Sequence, residues 1–177
     1  MDRALLEERL SELPLFQYEF FSPQELTFTG RVRTVCEQEC PMYGKSWACP
    51  PAVGTVEECQ AKCMSYDHVL LLTSVAEVTD TANMEETLAT RGPHEELTRQ
   101  ARQMLLDCGA EEAMALSTEA CAHCDQCTYP NAPCRRPDRM FPCVESHGIT
   151  VTDLAEKFGL DFINAGMVIW FSLLFYR

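Results

Sequence analysis

Seven cysteines in two sets are the residues of this 177-residue chain whose spacing suits chemistry. In the denser set, Cys121, Cys124 and Cys127 recur at every third position, and Cys134 follows after six intervening residues. A CxxCxxC loop wraps three corners of a 4Fe-4S cubane, with backbone amides turned toward the sulfides, and a more distant thiolate closes the fourth. Cys134 is placed for that role. The run departs from the bacterial ferredoxin pattern in its longer last interval and in delaying the proline to Pro137. Zinc is the competing reading. Structural zinc usually takes two separated ligand pairs, and a third thiolate from one tight turn is hard to aim at a single tetrahedral ion.

The other set is Cys36, Cys40 and Cys49, followed by Pro50-Pro51, with Tyr43, Gly44 and Trp47 between the thiols. Three thiols without an evident fourth suit a cubane that leaves one iron open to water, substrate or a residue from elsewhere. They equally suit a zinc site closed by Cys59, Cys63, Cys108 or Cys143, or ordinary buried thiols. Other polar residues near these sets have weaker claims. His123 lies inside the second loop, where it either hydrogen-bonds a cluster ligand and tunes its potential or, the commoner case, is a partly exposed loop histidine. Arg135, Arg136 and Arg139 follow Cys134 and either neutralise an anionic cluster or sit in solvent. Cys59 and Cys63 share a helix face with Val56 and read as core. Glu85/Glu86, Glu95/Glu96 and Glu111/Glu112 read as solvated faces. No phosphate loop, nucleophile elbow or histidine–glutamate zinc motif occurs.

Elements able to hold these loops are legible around them. Residues 2–13 carry Leu5, Leu6, Leu10 and Leu13 at helical spacing up to Pro14. Residues 26–35 are rich in β-formers and read as a strand delivering Cys36. The prolines and glycines of the 36–54 loop forbid regular structure there. Thr55 is an N-cap for a helix to about Ser65, and residues 67–75 form an apolar, interior strand. Residues 80–92 are a polar excursion. Pro93 enters the first turn of a long helix that Gly109 stops. Residues 113–118 form a strand that leads into the 121–143 loop, and a short helix over 150–159 precedes the apolar run FINAGMVIWFSLLFYR. Both alternating sets of that run are mostly apolar, which predicts a central strand covered on both faces. Its uninterrupted part is far short of the roughly 20 residues of a membrane-spanning helix.

This order predicts one α/β domain over 1–177, a central sheet of at least four strands flanked by helices, with cysteine loops at strand ends. A formal charge of −13 argues against nucleic acid, which needs a basic face. It suits docking to a basic redox partner. The charged opening MDRALLEERL lacks an apolar signal segment, so the expected compartment is the cytoplasm, where clustered thiols stay reduced and mean metal.

The stretches CPMYGKSWACPP and CAHCDQCTYPNAPCRRPDRMFPCVESHGITV resemble a family of small prokaryotic predicted metal-binding proteins, a domain of unknown function. The likeness spans about residues 31–160. It implies iron–sulfur or metal binding by Cys36, Cys40, Cys49, Cys121, Cys124, Cys127 and Cys134, and no settled reaction. Cys143 stands where that family usually carries serine.

The functional expectation is an electron-transfer protein with one 4Fe-4S cluster on Cys121, Cys124, Cys127 and Cys134 and a second on Cys36, Cys40 and Cys49. Its partner is then a redox enzyme, and Trp47, Tyr43 and Tyr129 wall the clusters from water. Two alternatives stay open: a small enzyme using an open iron for redox or Lewis-acid chemistry on a small molecule, and a zinc-stabilised interaction module.

Overall fold

The computed structural model describes residues 1–162 and 166–177. Its elements in chain order are α1 (Arg3–Leu10), β1 (Gln17–Phe21), α2 (Gly30–Gln38), α3 (Val56–Cys63), β2 (His68–Glu77), α4 (Met84–Ala89), α5 (Arg91–Asp107), β3 (Ala113–Leu116), α6 (Val151–Phe158) and β4 (Met167–Tyr176).

β4 sits inside a four-stranded sheet of order β1-β2-β4-β3, every neighbouring pair antiparallel. It pairs with β2 along its whole length, from Met167 opposite Glu77 to Tyr176 opposite His68. Phe171, Leu173 and Phe175 turn to one face, packing with Val69 and Leu71 and with Val151, Leu154 and Ala155 of α6. Leu174 and Tyr176 turn to the other, with Leu70 and Leu72, Leu6 and Leu10 of α1, and Ala101 and Leu105 of α5. The two apolar faces expected of the terminal run are thus both covered, giving a layered α/β fold with helices on each side. Residues 163–165 of that run lie outside the described residues.

The second face also holds a polar chain. His94 of α5 shares hydrogen bonds of 2.7 Å with Ser74 Oγ and 2.8 Å with Ser172 Oγ. Ser172 Oγ also meets Thr98 Oγ1 at 2.8 Å and donates to Ser117 Oγ at 3.1 Å. Buried hydroxyls and a buried imidazole are tolerated because each finds a partner.

Local signals explain most helix ends. Thr55 and Glu58 form a capping box ahead of α3, and Gly159 closes α6 in the left-handed conformation at φ 62°. The stretch 26–35 does not form the expected strand. Phe28 makes one bridge to Ile149, and the chain then turns helical at Gly30, with Thr29 Oγ1 accepting from Arg31 N at 3.2 Å. The reason is Arg33. As the buried residue of α2 it donates to Ser146 O at 2.6 Å and to Gly54 O at 2.8 Å, while Val35 is left exposed. The first cysteine loop therefore starts from a helix, not from a strand end. β1 forms where Phe16, Tyr18 and Phe20 alternate with Gln17 and Glu19, a short strand signal that sequence reasoning missed, and α4 forms within the polar excursion, capped by Asn83. Among the described residues no helix is long and apolar enough to cross a membrane.

Candidate metal centre

Two anchors hold the first loop. Cys36 lies in α2, whose Arg33 also reaches Cys59 Sγ at 3.5 Å, binding α2, the loop end at Gly54 and α3 together. Within the loop, Gly44 adopts φ 67°, and its N–H donates to Pro50 O at 2.9 Å, folding Cys49 back beneath the turn. Cys49 is buried and Cys40 exposed.

The second loop leaves β3 where the expected strand-end placement holds. Ser117 N donates to Pro142 O at 2.9 Å and Val144 N to Ser117 O at 2.8 Å, so the loop returns alongside its own start. Cys143 N donates to Ala48 O at 3.2 Å and stitches this return to the first loop. Inside the loop, Thr128 O accepts from Asn131 N and Ala132 N, and Arg135 Nη1 donates to Gln126 O at 2.9 Å.

These bonds bring Cys121, Cys124, Cys127 and Cys134 to the lining of one cleft, together with Arg135 and Arg136. Ser46 and Trp47 of the first loop complete it. Trp47 stacks edge-on to Tyr129, with ring centroids 4.9 Å apart. Cys127 is partly buried, which opposes ionisation. Even so, amide donors of Tyr129, Trp47 and Thr128 and the Ser46 hydroxyl hold its thiol below the usual value. Burial pushes Cys121 up, and the Glu95 carboxylate and Cys134 add to that against the His123 amide. Arg136 N donates to Cys134 Sγ at 3.4 Å.

The three thiols of the first set act on one another. Burial, then Cys40, raises Cys36; burial and the charges of Cys40, Cys36 and Cys121 push Cys49 up to about 12. Cys49 thus lies within electrostatic reach of both sets, and the two loops form one adjoining cysteine-rich region. Cys59, Cys63 and Cys108 are buried elsewhere, with Cys63 in the core as expected. Among the described residues no three of His, Cys, Asp and Glu stand close enough together to hold a single metal ion.

Sequence reasoning missed two carboxylates here. Glu95, expected in solvent, is buried under the second loop. It lies 3.5 Å from His123 Nε2, with Arg91 Nε at 3.8 Å and Arg99 Nη1 at 3.9 Å. Arg91 also donates to Ala120 O, so α5 pins the loop's entry. His123 donates to Arg139 O at 2.9 Å and is a partly exposed loop histidine, with 15% of its side chain accessible. Glu145 accepts the Cys143 thiol at 2.8 Å, and burial raises both groups. The i, i+4 spacing of Arg91, Glu95 and Arg99 was the available signal for Glu95, since it places three charges on one helix face.

No curated protein and no solved structure matches the chain. The family described as "Predicted metal-binding protein (DUF2284)" has a profile that matches residues 19–176, and the chain belongs to that family.

Proposed function

We propose that this chain is an iron–sulfur protein that passes single electrons to or from a partner enzyme. One 4Fe-4S cluster is held by Cys121, Cys124, Cys127 and Cys134, and a second by Cys36, Cys40 and Cys49. The observation that carries this reading is the shared cleft: four thiols line one recess in which amide and hydroxyl donors surround a sulfur. That donor set fits a thiolate-held cluster, whose potential depends on hydrogen bonds to sulfur and on solvent exposure. A bound cubane takes up and releases one electron at a time. The chain's own residues then hold and tune it. Trp47 and Tyr129 keep water from one side, the amides of the 127–129 turn stabilise thiolate charge, and Arg135 and Arg136 offset the cluster's negative charge. The acidic surface suits a basic partner.

A second reading, a small redox or Lewis-acid enzyme, draws on the three-thiol count of the first set and on Glu145, whose charge acts on Cys36. Anaerobically purified protein should absorb near ~400 nm and bleach on reduction, as thiolate-held iron–sulfur centres do. Cyanide sensitivity confined to the first set, abolished by Cys49→Ser, would favour the enzyme over the carrier. Colourless protein with stoichiometric zinc would favour the zinc-stabilised module.

A further inference from the structure

A second recess, bordered by Glu145, opens on the α6 face of the sheet. It measures about 310 Å³, at the lower end of the range that holds small ligands. Its lining divides by chemistry. Phe162, Ile169 and Phe171 supply an apolar wall, with the Phe162 and Phe171 rings 5.8 Å apart. Glu119 and Glu145 supply two carboxylates, and among the described residues no Lys, Arg or His lines it. Thr118, nine-tenths buried, borders it with a hydroxyl that has no hydrogen-bond partner among the described residues. Buried polar atoms are nearly always paired, so an orphan beside a recess points to a group from outside. Glu119 holds φ 62°, a left-handed conformation that a non-glycine residue adopts at a cost and that concentrates at functional positions. The N-terminus of α6 also borders the recess with partial positive charge. Asp153 in its first turn offsets that, so the two carboxylates decide the sign.

We infer that this recess binds a small organic cation, an ammonium group on a flat apolar body, with the ammonium between Glu119 and Glu145 and the body against Phe162 and Phe171. The carboxylates favour a cation over an anion, and aromatic faces favour it further. A hydrated divalent ion would leave the apolar wall unused. The site goes beyond electron transfer and does not depend on the cysteines holding metal, so its test succeeds or fails independently of the cluster assignment.

The probe is benzylammonium, titrated calorimetrically into the full chain, with benzyl alcohol and benzoate as neutral and anionic counterparts of the same shape. Benzylammonium should bind one to one and at least roughly tenfold more tightly than either, the difference expected for charge-assisted pairing in a partly enclosed site. Glu145→Gln and, separately, the more exposed Glu119→Gln should each weaken it several-fold, while Glu111→Gln on the distant surface should not. The Glu119 variant leaves the Cys143 contact in place and so separates lost binding from lost folding. No binding, benzoate or benzyl alcohol binding as tightly, or indifference to both glutamine variants would overturn the inference.

Discussion

The Trp47 indole stands nearly perpendicular to the Tyr129 ring, at 86° and 4.9 Å between centroids, and so joins the two cysteine loops edge to face. Its N–H also donates to Ala132 O at 3.1 Å. An edge-to-face pair and one hydrogen bond together contribute about 2 kcal/mol. Trp47→Ala should lose about that much stability and shed cluster absorbance faster in air, whereas Trp47→Phe should keep part of both. Equal decay rates in all three proteins would show that Trp47 does not shield the centre.

Arg33 makes a sharper demand. Its guanidinium is buried and donates to two carbonyls and approaches a thiol from three different segments. Arg33→Met leaves those carbonyls without donors, at about 2–4 kcal/mol, by the cost of unpaired buried polar groups. Arg33→Lys should recover little, because one ammonium cannot span the same fork. Urea midpoints of the three proteins decide it, and a lysine variant as stable as wild type would contradict the fork argument.

Acid stability should depend on two buried imidazoles. Burial lowers both His94 and His147 to about 4 from an ordinary 6.5. The neutral ring is the favoured native form, so this stabilisation is fully present above pH 6.5 and is lost as pH falls toward about 4. Between pH 7 and pH 5, above most carboxylate titration, each histidine should account for about 2 kcal/mol of lost stability. His94→Gln should flatten that slope by roughly half, read from unfolding curves at the two pH values. An unchanged slope would mean that His94 is charged in the native state or shielded otherwise.

Removing β4 should be lethal to the fold. Its Phe171, Leu173, Leu174 and Phe175 are at most 2% exposed and serve both faces of the sheet. Each contributes roughly 1.5–3 kcal/mol on burial. A chain ending at Gly166 should be insoluble or unfolded by circular dichroism; a soluble, cooperatively folding truncation would remove β4 from the core.

The long apolar periods made β2, β4 and α5 readable, because burial on one or two faces dictates residue type directly. The caps at Thr55 and Gly159 were equally local. What failed was tertiary in origin. Val32 and Val35 carry β propensity, yet a buried arginine bonded to Ser146 and Gly54 holds their segment helical. The four-cysteine grouping follows from spacing within one loop. The contribution of Ser46 and Trp47 to that cleft, and of Glu95 beneath it, depends on contacts between residues far apart in sequence, which no local pattern encodes.

Iron and acid-labile sulfide in protein purified without exposure to oxygen test the central claim most directly. The account predicts about four of each per chain from the Cys121, Cys124, Cys127 and Cys134 site alone, and about eight when the Cys36, Cys40 and Cys49 site is also filled. The smaller count should vanish in a Cys124→Ser, Cys127→Ser double variant that also carries Cys49→Ser. Stoichiometric zinc with no sulfide would contradict the account.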